Sequence, residues 1–233
     1  MRYAIPLIVI AATRWDKAEM IVLNNYIDVV FRPWYHFFDY DNHLYLLWPE
    51  LICNRIMGNF FRELNINIAD CVISGLNTGY YSDIWLDAYY IPDKGVYQKM
   101  HLAHNVLIYG YSKVDNVFLA LSYINSGHYD RLRISPENLI RACLNDYFIS
   151  IQLIKNNSEA TVDCNDALIT DKLKRYIESH YELANNTKDS RFDNNQLCNY
   201  NACLEFPTCL KATSENVGRI YTVALYSFLE QKN

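Results

Sequence analysis

The spacing of apolar and polar positions changes character along the chain. In the first third, the unbroken apolar run IPLIVIAAT predicts a buried strand over 4–12. RWDKAEMIVLNNYI then takes up helical spacing, and predicts a helix over 16–32. Pro33 ends it, because the residue before a proline is pushed out of the helical region. An extended aromatic stretch through YLLWPE follows, then a second helix near 51–64.

The middle third is rich in β-branched and aromatic residues. ADCVISG, DIWLDAYYIP, HNVLIYGY, VFLALSY and DRLRIS are separated by turn-forming pieces such as SKVDN and NSG. They predict an antiparallel sheet of about four or five strands. At Ser135 the pattern turns helical: SPENLIRACLNDYFISIQLI offers a serine cap, a proline in the first helical position and an acid in the first turn. DALITDKLKRYIESHYELA predicts a further amphipathic helix. ENVGRIYTVALYSFLEQ predicts another, with Val217, Ile220, Tyr221, Ala224, Leu225 and Phe228 on one face. The Asn-rich NNTKDSRFDNNQLCNYN between these two reads as a mobile loop.

This order of helices, antiparallel sheet and helices is the α+β layout in which helices pack on one side or end of a sheet. It divides into an α+β core over 1–150 and a helical C-terminal portion over 151–233 packed on that core. Composition agrees with a packed chain: 51% of the 233 residues are hydrophobic, enough for a sizeable core. A net charge of -5 with no basic run argues against nucleic acid, which needs a concentrated Lys/Arg face. No apolar stretch approaches the roughly 20 residues of a membrane span, so no membrane partner is expected. The 7 cysteines are an odd number without CxxC spacing, and with no signal peptide they point to a reducing cytoplasm.

Candidate chemistry concentrates in YQKMHLAHNVLIYGY. His104 leads a strand on which alternation puts His104, Val106 and Ile108 on one face and Asn105, Leu107 and Tyr109 on the other. Such a histidine is either a general base held by a rigid strand or a structural imidazole satisfied by a backbone carbonyl. His101 forms an HxxH pair with it, but two ligands without a third do not make a zinc site. The aromatic cluster FRPWYHFFDYDNHLY is dense enough to wall a pocket. Its Asp39 and Asp41 could attract a cationic amine, and His36 and His43 could do catalytic work if folded toward His104.

The layout DAYYIP…YQKMHLAHNVLIYGY…NVFLALSY…LRISPENLIRA resembles the cysteine protease-like, papain-fold acyltransferases and amide synthases of natural-product biosynthesis, the group that includes the butirosin acyl-transfer protein and the closthioamide amide synthase. The likeness runs best over 83–143 and more loosely from WDKAEMIVLNNYI through FRPWYH. It implies a papain-like fold and a cysteine on the first helix that takes an acyl group from a carrier-protein thioester and passes it to a small amine. No cofactor and no metal are implied. His104 matches the base, and Ser122 stands where the family's orienting Asp or Asn would. The nucleophile position falls within 16–20, at Ala18, where free N–H groups of a first helical turn would bind an oxyanion. An alanine there follows from helix propensity alone, or marks a cysteine lost or replaced. Trp15, Asp16, Trp34, Tyr35 and His101 are the expected substrate contacts. Cys53, Cys71 and Cys143 are expected to be buried, inert thiols.

Overall fold

The structure, a computed structural model, describes residues 8–9, 20, 24, 29–32, 37–40, 48–124, 129–161, 163, 165–178 and 197–198. Two compact units divide the chain: Met1–Arg14 with Tyr45–Ala160, and Trp15–Leu44 with Thr161–Asn233. The partition anticipated at 150 thus runs through the first residue of a sheet strand.

In chain order the elements are β1 (Val29–Arg32), β2 (Phe37–Tyr40), β3 (Leu51–Met57), α1 (Gly58–Glu63), α2 (Ile68–Asn77) and β4 (Tyr81–Asp87). A short 3-10 helix, Ala88–Tyr90, follows β4. Then come β5 (Ala103–Ser112), β6 (Val117–Tyr123), β7 (Tyr129–Ile134), α3 (Pro136–Cys143), β8 (Ser150–Asn156), α4 (Asp166–Glu178) and β9 (Leu197–Cys198). The protein is α+β, as the pattern predicts, and its main sheet has six strands, all antiparallel, in the order β3-β8-β4-β5-β6-β7.

That sheet is built by alternation. Ile84 and Leu86 of β4, Val106 and Ile108 of β5, Phe118 and Ala120 of β6, and Leu132 and Ile134 of β7 join one core cluster. Register puts Ile84 beside Val106, Ile108 beside Ala120, and Ala120 beside Leu132, so these side chains share one face. Ile68 and Val72 of α2 and Leu139 and Ala142 of α3 complete the cluster. His104 pairs with Leu86, which confirms the face read for it from the sequence.

Several sequence expectations are overturned, each for a local reason. ADCVISG lies in α2, not in a strand: Asn67 caps it by accepting from Ala69 N at 2.9 Å, and its buried positions, Ile68, Val72 and Gly75, follow helical spacing. Gly79, at φ 82, takes the left-handed conformation that closes the helix. The predicted helix over 51–64 is instead β3 followed by the six-residue α1. Gly58 at their junction cannot be replaced by a larger residue without a clash, because a Cβ there would stand 2.2 Å from the Phe148 carbonyl oxygen. The helix begun at Ser135 stops at Cys143, where Asn145 folds an Asx turn by accepting from Tyr147 N at 2.9 Å. Its expected continuation, SIQLI, belongs to β8.

The cap of α3 is the one predicted: Ser135 Oγ accepts from Asn138 N at 3.2 Å, with Pro136 and Glu137 in the first turn. Ile8 and Val9 are helical, contrary to the strand expected there. Met20 and Asn24 are helical as predicted, whereas 29–32, expected to finish that helix, form β1.

In the second unit, β1 pairs with β2 and β9 in a small antiparallel sheet. Asn24 Nδ2 donates to Asp163 O at 3.0 Å, and Asn24 Oδ1 accepts from Asn165 N at 3.2 Å. Asn165 in turn caps the predicted helix α4, accepting from Leu168 N at 2.9 Å. The helix over ENVGRIYTVALYSFLEQ lies outside the described residues, as does the Asn-rich loop apart from β9.

Candidate functional site

The segment that joins β4 to β5 carries the chemistry, and its shape is fixed by its own backbone. Ala88 N donates to Leu102 O at 2.9 Å, Gln98 N to Tyr89 O at 3.0 Å, and Tyr97 N to Lys94 O at 3.0 Å. Ile91 anchors it in the core, fully buried. Asp93 sits at φ 67, a left-handed conformation that Asp tolerates better than most residues, and turns the chain just ahead of Lys94. Two histidines, one at the end of this segment and one on β5, enter different surroundings.

His104 belongs to a buried cluster at the head of the β5–β6 hairpin. Lys94 Nζ lies 3.2 Å from His104 Nδ1 and also donates to Ser122 Oγ. Ser122 Oγ donates to the Asn105 carbonyl oxygen at 2.6 Å, and His104 Nδ1 lies 3.1 Å from that same oxygen. Nδ1 carries one proton in the tautomer that satisfies the carbonyl, which leaves Lys94 facing it as a neutral amine and Nε2 with a free lone pair. Burial lowers the Lys94 pKa from its usual 10.5 to about 7. Burial and, next, the Lys94 charge lower that of His104 to about 4, against the Asn105 carbonyl, which raises it. At neutral pH the imidazole is uncharged and the lysine is the more basic group.

Ser122 and His104 are brought together, and the hydroxyl and the imidazole share two neighbours, the Asn105 carbonyl oxygen and Lys94, a residue the sequence pattern does not single out. Lys94 lies in a turn, and no local spacing announces its proximity to His104.

His101 has the opposite environment. Its Nδ1 lies 2.6 Å from Asp87 Oδ2, with the carboxylate fully buried and the imidazole 45% exposed. Asp87 Oδ1 accepts from Tyr89 N at 3.1 Å and from Leu102 N at 3.2 Å, and Oδ2 also accepts from Asn145 Nδ2 at 3.0 Å. The ring stacks on Tyr89 at a centroid distance of 4.3 Å and on Tyr147 at 5.4 Å. Asp87, Tyr89, Asn145 and Tyr147 were all missed in sequence. The signal that could have found Asp87 is an acid closing a strand directly before an aromatic turn, DAYY.

Of the other expected site residues, Ala18, Trp15, Asp16, Trp34 and Tyr35 lie outside the described residues, as do His36, Asp41 and His43. Burial pushes the Cys53 thiol up to about 11 and raises those of Cys71 and Cys143, so none is poised as a thiolate. Among the described residues no group of three or more His, Cys, Asp or Glu side chains converges on a metal position, and no helix is long and apolar enough to cross a membrane.

The fold and these two clusters define an α+β protein that carries an imidazole beside a lysine on β5 and a carboxylate-held one at the end of the segment leading into that strand. No family model and no curated protein matches the chain.

Proposed function

We propose that this chain is a papain-like, cytoplasmic acyltransferase that moves an acyl group from a carrier-protein thioester to a small amine, forming an amide in natural-product assembly. The observation that carries the reading is the Lys94–His104–Ser122 cluster at the head of the β5–β6 hairpin. It contains His104, the residue the resemblance takes for the base, and supports the reading with a base of unusual construction.

A proton arriving at His104 Nε2 can be matched by departure of the Nδ1 proton to the neutral Lys94 amine 3.2 Å away. The imidazole is then a conduit and the lysine the acceptor, suited to this by a pKa of about 7. Ser122 and the Asn105 carbonyl fix the two ends of the relay. In the first half of the reaction the relay would take the proton of a cysteine at position 18. The sulfur would attack the thioester carbonyl, and the carrier thiol would leave with that proton. In the second half the amine would attack the acyl–cysteine, the C–N bond forming as the C–S bond breaks, and the proton shed by the amine would end on the departing sulfur. With Ala18 in the chain, the second half can still proceed directly on the carrier-bound thioester.

The test is product analysis by mass spectrometry of the chain and of Ala18→Cys, each given an acyl-pantetheine thioester and a short diamine. Amide that rises with amine concentration is expected, with an acyl adduct on Ala18→Cys. Free acid alone at every amine concentration would replace acyl transfer by thiol hydrolysis, a thioesterase or peptidase activity. No amide and no adduct from a correctly folded Ala18→Cys would leave a binding protein.

A further inference from the structure

Asp87 makes more contacts than a cap requires. Its Oδ1 alone serves the backbone N–H groups of Tyr89 and Leu102, which closes the turn after β4. Oδ2 is given to His101 Nδ1 at 2.6 Å and to Asn145 Nδ2 at 3.0 Å. A fully buried carboxylate has thereby been aligned on an imidazole that is 45% exposed to solvent. The ring cannot turn freely, because Tyr89 and Tyr147 lie near-parallel to it, at 17° and 19°.

These are the parts of a general base: a nitrogen held by a carboxylate, which fixes the tautomer and stabilises the imidazolium once it forms, and a second nitrogen free to meet a substrate. Met100 and Leu102, which flank His101, are exposed, as is Tyr147. They give the open edge an apolar rim.

We infer that His101, positioned by Asp87, is a proton-transfer residue that receives a proton from the acceptor amine, and that its apolar rim takes the carbon chain of that amine. The role rests on the acyl-transfer reading. As the amine nitrogen bonds to the acyl carbon, its proton passes to His101 Nε2. As the acyl–sulfur bond breaks, that proton returns to the leaving thiolate, and His101 ends neutral. Asp87 is a positioning residue and stays beside Nδ1 throughout.

Asp87→Asn tests the positioning. Its Oδ1 still accepts from Tyr89 and Leu102, but an NH₂ now faces His101 Nδ1 and obliges that nitrogen to accept. The proton moves to Nε2, the wrong tautomer for a base. ¹⁵N NMR of the native chain should show neutral His101 protonated at Nδ1, and Asp87→Asn should show the proton at Nε2. Diethyl pyrocarbonate, which acylates accessible unprotonated imidazole nitrogen, should label exposed His101 well before half-buried His104. His101→Gln should lower amide formation about 100-fold or more, the scale of general-base catalysis, while the same substitution made in Ala18→Cys should still form the acyl adduct.

Amide formation by His101→Gln at the native rate would overturn the inference. So would an Nε2-protonated His101 in the native chain, or labelling of His104 first. If the native chain makes no amide from any donor, the acyl-transfer reading falls. The tautomer and the labelling order then decide by themselves whether Asp87 and His101 form a base.

Discussion

His101 and His104 stand three residues apart, one just before β5 and the other on it, and their surroundings are opposites. At His101 a buried carboxylate holds Nδ1, two tyrosines stack on the ring, and the side chain stays partly open to solvent. At His104 the ring is largely enclosed, and its Nδ1 faces an amine and a carbonyl oxygen. On the ladder Leu86 pairs with His104, whereas His101 precedes the strand and meets Asp87 through its side chain. The group beside each Nδ1, a carboxylate at His101 and an amine at His104, and not the spacing of an HxxH pair, gives each imidazole its chemistry. One is arranged to become charged during a reaction, and the other is kept neutral at physiological pH.

The sharpest way to break this contrast is Asp87→Ala. It strips acceptors from two backbone N–H groups, from Asn145 and from His101, and leaving buried donors unpaired costs about 1–3 kcal/mol each. A loss of about 3 kcal/mol or more in urea unfolding is expected. A loss under about 1 kcal/mol would show that the carboxylate does not hold the turn.

Lys94→Met acts on the other member and should stabilise. The Lys94 pKa falls from 10.5 in the unfolded chain to about 7 in the folded one, so the unfolded chain binds more protons between those values. The cost of a buried ammonium is therefore full below pH 7 and relieved as pH rises through 7 toward 10.5. Lys94→Met should raise the melting temperature at pH 6, by the equivalent of about 2 kcal/mol, with the gain shrinking above pH 7. An equal gain at every pH would mean that charge is not the cause. His104 adds a second slope of the same sign: lowered from 6.5 to about 4, it makes the fold less stable as acid is added across that range.

The smallest effect is expected from Tyr147→Ala, about 1 kcal/mol for one lost ring contact. It should also speed labelling of His101 without changing that of His104. Equal acceleration at both would blur the distinction between the two sites.

The legible parts of the molecule were those built from neighbours in sequence. The β5–β6–β7 meander shows its alternation, and α3 carries its serine cap and proline in plain view. α2 was misread because its valine and isoleucines carry β propensity, although their spacing and the Asn-Thr-Gly that ends the helix are helical. β3 and β8 were read as helix because each is a short apolar run whose partner is far away, as when Leu51 meets Asn156. The site divides along the same line. His104 leading a strand could be read locally. Lys94 comes from a turn and Asn145 from beyond α3, 58 residues from the Asp87 it contacts, and only tertiary folding brings them in.

The position of β8 between β3 and β4 sets an order of assembly. A ribosome releases β3 long before the strand that will pair with it, while β4 to β7 can close by successive local turns as they emerge. On this account the Lys94–His104–Ser122 cluster forms with the nascent meander, and the Asp87–Asn145 contact waits for α3 and the turn beyond it. β3, with Ile52 and Met57 exposed even in the finished sheet, is the strand left longest without a neighbour. It is where a chaperone would have most to hold and where a slow-folding variant would first aggregate.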